Sequence, residues 1–507
     1  MTAASHPHAN LKTRLMVGME IHVELATRTK MFTSAPNVAH PDYYDAQPNT
    51  LTDPVVLGLP GTLPVVNRQA VHMSMLVGLA LGCRIARQTR WDRKSYYYPD
   101  LPKNYQISQF DMPLCEQGQL DIPESDEPDA PTRTIRIIRA HLEEDAGKLL
   151  HEAPGGMPID YSIVDLNRAG TPLLEIVTAP DLQSPEQVVA FAQMLRRICR
   201  HLGVSEAIMQ RGHMRFEPNI NVIIEKDGQE YRTPIVEIKN LNSFKALYGS
   251  VAFEYQRQVD EWLETGTVMT PGTKSTRGWD DNRNVTFLQR EKEEAHDYRY
   301  FPDPDLVELN IDDDWLGRAK AELPELPLAM EHRYIHELGV GPKDARTLVD
   351  EPASARFFDA VVEAGAQPRR AATLLHNYAA KIANEQGCRI DQIGISAQQV
   401  QQIASLIEAE KVGSSAAAQL FALCCQSDQS AEALAQEHGL LQVSDTGALE
   451  GYVDAVLADP KNAKAIAEIR AGKAKAIGAL MGQIMKVSKG QANPKLVTEM
   501  IRRKLGD

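Results

Sequence analysis

The sequence predicts an α+β chain: an N-terminal antiparallel-sheet cradle domain followed by helices alone. Three observations carry that prediction. Within the first 306 residues, four runs alternate apolar and polar residues with the period-two pattern of strands that lay one face on a core. After the string FPDPDL, where Pro302 and Pro304 interrupt regular structure, apolar residues recur with the 3.6-residue period of helices. At 507 residues the chain exceeds one core, and the usual length per domain gives about three. The expected divisions are 1–310 for the cradle, 311–410 for an all-helical domain and 411–507 for a helical tail.

The first strand is VGMEIHVEL, where Val17, Met19, Ile21, Val23 and Leu25 face a core and Glu20, His22 and Glu24 share the other face. A helix follows over 67–82, amphipathic and buried, with His72 and its methionines assigned to the core. KSYYYPDLPKNYQISQ, from Lys94 to Gln109, has too many Tyr, Pro and Lys for a helix or plain strand and reads as an ordered loop. Its Lys94 and Lys103 suit phosphate and its Tyr96, Tyr97 and Tyr98 suit a base; simple packing of the loop accounts for them equally. TIRIIRAHLEED ends in Glu143, Glu144 and Asp145 beside His141. In SPEQVVAFAQMLRRICRHLG, Ser184 is the N-cap, Pro185 fits N1, Gln187 holds the capping-box position and Gly203 stops the helix, with Arg196, Arg197 and Arg200 on a solvated face. FEPNINVII brings Glu217, Asn219 and Asn221 into phase, and IVEIKNLNSF does the same for Glu237 and Lys239.

One alternating strand with acids on it is ordinarily a half-solvated sheet face. Four such strands, with His, Asn and Lys in phase, point instead to a polar face that binds a metal. Hard oxygen ligands with an imidazole suit Mg²⁺ or Mn²⁺ rather than Zn²⁺.

Composition excludes several classes. No run of 18 apolar residues and no apolar stretch in MTAASHPHANLKTR supports a membrane span or a signal peptide, and six cysteines without a CxxC pair read as thiols of a reducing cytoplasm. Net charge is −14, yet from Lys461 onward eleven basic residues face three acidic ones, so the last 47 residues carry +8 and the rest −22. That tail is either a solvated helical face or a surface for phosphate backbone. The P-loop, the strand-linked G-x-G-x-x-G, H-E-x-x-H and G-x-S-x-G are all missing, so any nucleotide phosphates must be held by a metal and by Lys or Arg side chains.

The strings VGMEIHVEL, KSYYYPDLPKNYQISQFD, HLEEDAGK, DLNRAGTPLLEIVTAPD, VEIKNLNSF and EEAHDYRYFPDPDL together resemble the B subunits of aspartyl/glutamyl-tRNA amidotransferases, the GatCAB complexes. DARTLVDEP and GKAKAIGALMGQIMKVSKGQANPKLV resemble that family's helical domain and YqeY-like tail. The resemblance implies ATP- and Mg²⁺-dependent conversion of misacylated Glu-tRNA(Gln) or Asp-tRNA(Asn) to the amide, in the cytoplasm, within a heterotrimer completed by the amidase (GatA) and a small third chain (GatC). It implies that Glu20, His22, Glu144 and Glu237 ligate Mg²⁺, that Glu144, Glu217 and Lys239 act in catalysis, and that Lys94 and Arg299 contact the cofactor; Glu143 and Glu175 rank below them. Glu217 stands where the family usually has Asp, and Pro218 follows it. Asp53 and Val56 stand where some relatives carry a Cys pair, so no zinc is expected. Two alternatives remain: a non-catalytic tRNA-binding scaffold within the complex, and a stand-alone metal-dependent hydrolase.

Overall fold

The computed structural model describes residues 11–125, 127, 130–153, 156–291, 298–442, 446–470, 476–488 and 491–505. The chain forms two compact units, Met1–Leu328 and Ala329–Asp507.

In the first unit the strand Lys12–Glu24 sits mid-sheet and buries Leu15, Val17, Met19, Ile21 and Val23 on one face. Met214–Lys226 and Pro172–Thr178 flank it. Beyond the former lie Val236–Lys239, Ser275–Asp280 and Val285–Glu291; beyond the latter lie Thr132–Glu144, Tyr105–Ser108, Asp92–Ser95 and Phe301–Pro302. These pairings are antiparallel, with the exception of Val236–Lys239 against Ser275–Asp280. That parallel pair needs a long crossover, which the helix Phe244–Thr265 supplies.

Helices Arg68–Ala80, Pro185–His201 and Phe244–Thr265 cover the apolar face, leaving the polar face free. Asn67 caps the first through the amides of Gln69 and Ala70, and Ser184 caps the second through Gln187. The Gln187 side chain accepts from the amide of Gln183 rather than completing a box with Ser184. His72 is not a core residue: it meets Glu322 at 2.6 Å and accepts a hydrogen bond from Trp315 Nε1 at 3.1 Å. Those contacts bring the helix Asp313–Ala321 into the same core, so the unit extends to Leu328 rather than stopping at 310. Arg196, Arg197 and Arg200 are half-buried rather than solvated, and Arg196 donates to the Ala207 carbonyl.

The 94–109 segment is a strand pair with a turn, not a loop. Lys94 pairs with Gln106 across Asp92–Ser95 and Tyr105–Ser108, and Asn104 turns the chain with φ +64°. Polar side chains hide the alternation here because one face of this pair is the polar face of the cradle.

The second unit contains two cores. One gathers residues from Met330 to Ala435 and includes the helices Ala397–Glu408, Ser414–Cys424 and Ala431–Glu437; the other runs from Leu449 to Ile501. The break lies after residue 435, not at 410, because Leu420 and Phe421 share the core of Ile403 and Leu406. Part of the tail's basic charge is neutralised locally: Lys504 holds Asp454 at 2.5 Å and Arg503 holds Glu450. Lys473, Lys475, Lys489 and Asp507 lie outside the described residues. Among the described residues no helix is long and apolar enough to cross a membrane.

Candidate active site

Register assembles the site. His22 faces Glu175 on the neighbouring strand, and Glu175 faces His141 on the next, so three side chains form one row across three strands. Glu175 Oε2 lies 3.6 Å from His22 Nε2 and 3.5 Å from His141 Nε2. Glu20 stands 3.9 Å from His22, and Glu143 stands 3.4 Å from His141. Two potential cation sites result, Glu20–His22–Glu175 and His141–Glu143–Glu175, each with donor atoms within 4.8 Å of one another and with Glu175 common to both. The Nδ1 atoms of His22 and His141 are buried without a hydrogen-bond partner.

Burial opposes charge throughout this face, and the neighbours decide the outcome. Burial depresses the His22 imidazolium, yet the hydrogen bond and charge of Glu175 outweigh it and push its pKa up to about 9. Burial, then the charge of Glu175, pushes Glu20 up. Glu143 stays well below the usual carboxylate range because Lys94, 3.9 Å away, and His141 overcome its desolvation. Glu24 is driven by burial and by Asp145 up to about 8, although Arg215 bonds both acids, at 3.3 and 2.9 Å.

The neighbouring 298–305 segment is pinned by Asp303, whose buried carboxylate takes Arg93 Nε at 2.8 Å. Lys94 Nζ then lies 5.3 Å from the Tyr298 ring, and Phe110 stacks on Tyr300 at 3.9 Å.

Residues 15–317 match the family described as the GatB/GatE catalytic domain, and residues 356–505 match the family described as the GatB domain. The B chain of the aspartyl/glutamyl-tRNA(Asn/Gln) amidotransferase of Thermomicrobium roseum is 43% identical over 97% of this chain and 98% of its own. The proteins of the same name from Carboxydothermus hydrogenoformans and Burkholderia ambifaria are 40% and 43% identical over 97% of this chain, and 98% and 99% of theirs. The chain belongs to the GatB family.

Within this GatB fold, Glu20 and His22 join the cluster, but two other expected ligands sit apart from both groups. Glu144, out of phase with His141 and Glu143, is taken by Lys103 and by the amide of Ile107 at 3.1 Å. Glu237 is held by Lys239 at 2.9 Å and Lys274 at 3.3 Å. Lys239 also grips Glu217 at 2.6 Å, and Glu217 lies directly across from Glu20. Lys94 borders the cluster. Arg299 is exposed, with φ +48°, between Tyr298 and Tyr300; Glu293, Glu294, His296 and Asp297 of the same string lie outside the described residues. Asp53 accepts from the Thr33 hydroxyl and from the Val56 amide at 2.9 Å.

Sequence reasoning underrated Glu175 and left His141 without a role. The signal for Glu175 was present: in PLLEIVT it is the one acid of a strand whose other members are nearly all buried.

Proposed function

We propose that this chain is the carboxylate-activating component of an ATP-dependent transamidase acting on misacylated Glu-tRNA(Gln), Asp-tRNA(Asn) or both. The observation that carries the reading is the cluster centred on Glu175, with Lys94 on one flank and Lys239 on the other. A side-chain carboxylate resists ammonia because oxide is a poor leaving group. When its oxygen attacks the γ-phosphorus of ATP, ADP departs and an acyl phosphate remains; ammonia then attacks the carbonyl carbon, phosphate leaves, and the nitrogen loses a proton.

The donor set fits a hard divalent cation: three carboxylates and two imidazoles, desolvated, with both Nδ1 atoms orphaned. Glu20, His22, Glu175, His141 and Glu143 would hold Mg²⁺, which would supply positive charge to phosphate oxygens. Lys94 and Lys239 add positive charge on either side, and Lys239 fixes Glu217 beside Glu20. Glu144 with Lys103 and Glu237 with Lys274 form ion pairs at the margins. The name of the relatives supports the amidase GatA and the small GatC as partners in the cytoplasm, with ammonia delivered to this face and the basic tail meeting tRNA.

The test is ATP hydrolysis dependent on Glu-tRNA(Gln) by the assembled three-chain enzyme. Replacing Glu175→Gln lowers it at least about 100-fold while glutaminase activity persists. Undiminished ATP turnover would assign the cluster a structural role and leave this chain a scaffold.

A further inference from the structure

We propose that Arg139, backed by the stacked rings of Phe110 and Tyr300, contacts phosphate oxygens of a nucleotide substrate, either on ATP or at the acceptor end of tRNA. The inference rests on the reading above, because it takes the Glu175 cluster as the reacting centre.

Position comes from register. Arg139 lies opposite Val177, and Val177 lies opposite Glu20, so Arg139 and Glu20 share the cross-strand row next to His22–Glu175–His141. Along its own strand Arg139 is two residues from His141 and faces the same side, about 7 Å away.

Its chemistry is unlike that of the other cations of this face. Lys94 is matched to Glu143, Lys103 to Glu144, Arg215 to Glu24 and Asp145, Lys239 to Glu217 and Glu237, and Lys274 to Glu237. Arg139 has no carboxylate partner among the described residues, and Glu116, opposite it on the Cys115–Pro123 strand, is engaged by Arg84. Its guanidinium donates to the Phe110 carbonyl at 3.1 Å and lies 5.6 Å from the centre of that ring. Phe110 in turn is stacked on Tyr300, 3.9 Å away and tilted by 11°. The stack holds the guanidinium plane in one orientation, and most of its five N–H groups remain to be used. A planar fork without a carboxylate, at the rim of an acid-rich cluster, matches the two oxygens of a phosphate. It also lowers the repulsion that Glu20, Glu143 and Glu175 impose on an entering anion.

The experiment uses the assembled enzyme with Arg139→Gln, Arg139→Lys and Phe110→Leu, reading kcat, KM for ATP, KM for aminoacyl-tRNA and Tm, with Glu175→Gln in parallel. Arg139→Gln should raise one KM about 10- to 100-fold at unchanged Tm, as loss of a charged hydrogen bond requires. Arg139→Lys should recover only part, since it keeps the charge without the fork. A rise for ATP assigns the nucleotide triphosphate, and a rise for tRNA assigns the acceptor backbone. Both KM values unchanged, or both raised together with a fall in Tm, would overturn the assignment. Loss of ATP hydrolysis in Glu175→Gln alongside an unaffected Arg139→Gln would sink this inference alone; intact hydrolysis in Glu175→Gln would sink the reading beneath it.

Discussion

If His22 ligates the metal, cation and proton compete for its Nε2. Glu175 raises the imidazole to about 9, so near pH 7 the ring is protonated in the metal-free protein and binding must expel that proton. Two units below the pKa, expulsion costs about 2.7 kcal/mol, a loss of roughly 100-fold in affinity. Apparent affinity for Mg²⁺ or Mn²⁺ should therefore rise about tenfold per pH unit between 7 and 9 and then level off. Calorimetric titration of the assembled enzyme in buffers of different ionisation heat should count about one proton released per ion near pH 7.5. In Glu175→Gln the ring loses its partner, its pKa falls back, and the release disappears. The same shift governs stability without metal. A histidine raised above its unfolded value of about 6.5 stabilises fully below that pH, and the contribution is lost as pH rises through about 9. Glu24, raised to about 8, acts in the same direction, because its folded form favours the proton that rising pH removes. The metal-free enzyme should lose Tm steadily from about pH 5 to 9, and added Mg²⁺ should restore it most at the alkaline end. Affinity flat across this range, with no protons released, would refute the assignment of His22 as a ligand.

Three further outcomes are expected. Asp303→Asn should destabilise the first unit by about 3 kcal/mol, because Arg93 keeps its buried charge after its partner is neutralised; a melting curve within error of wild type would contradict the pinning role. Gly78→Ala would set a Cβ 2.4 Å from Cys115 Sγ and should cost about 1–3 kcal/mol, recovered when Cys115→Ala is added. Failure of the double variant to recover would place the strain elsewhere. A chain ending at Gln442 should retain the first helical core, whereas one ending at Glu410 should lose cooperative melting there, since it removes Leu420, Phe421 and Leu434 from that core; equal behaviour of the two would favour a boundary at 410.

What the sequence disclosed follows from how locally each feature is encoded. The apolar set of the first strand, the Ser184 and Asn67 caps and the helical second half are all readable from neighbours in the chain. Strand order is not. His22 and His141 sit on strands that do not touch, and only the Pro172–Thr178 strand between them brings Glu175 within reach of both rings. Glu144 and Glu143 look interchangeable in HLEED, and nothing short of the pleat separates the one that joins His141 from the one that turns to Lys103. The domain break after residue 435 was hidden because consecutive amphipathic helices carry the same period whichever core they join.

The strand Thr132–Glu144 changes its buried face midway. Its first half buries Ile135 and Ile137, and its second half buries Ala140 and Leu142, so the buried parity changes from odd to even between them. An uninterrupted strand of period two cannot do this, and it would aim His141 and Glu143 into the core. The change occurs where pairing with Pro172–Thr178 slips: Val177 faces Arg139, while Thr178 faces Ile137, and Ile138 is left over. Ile138 is accordingly 53% exposed, an otherwise unfavourable place for isoleucine. One extra residue in one strand thus turns Arg139, His141 and Glu143 together onto the polar face, and a shift of pairing there would remove all three from the site at once.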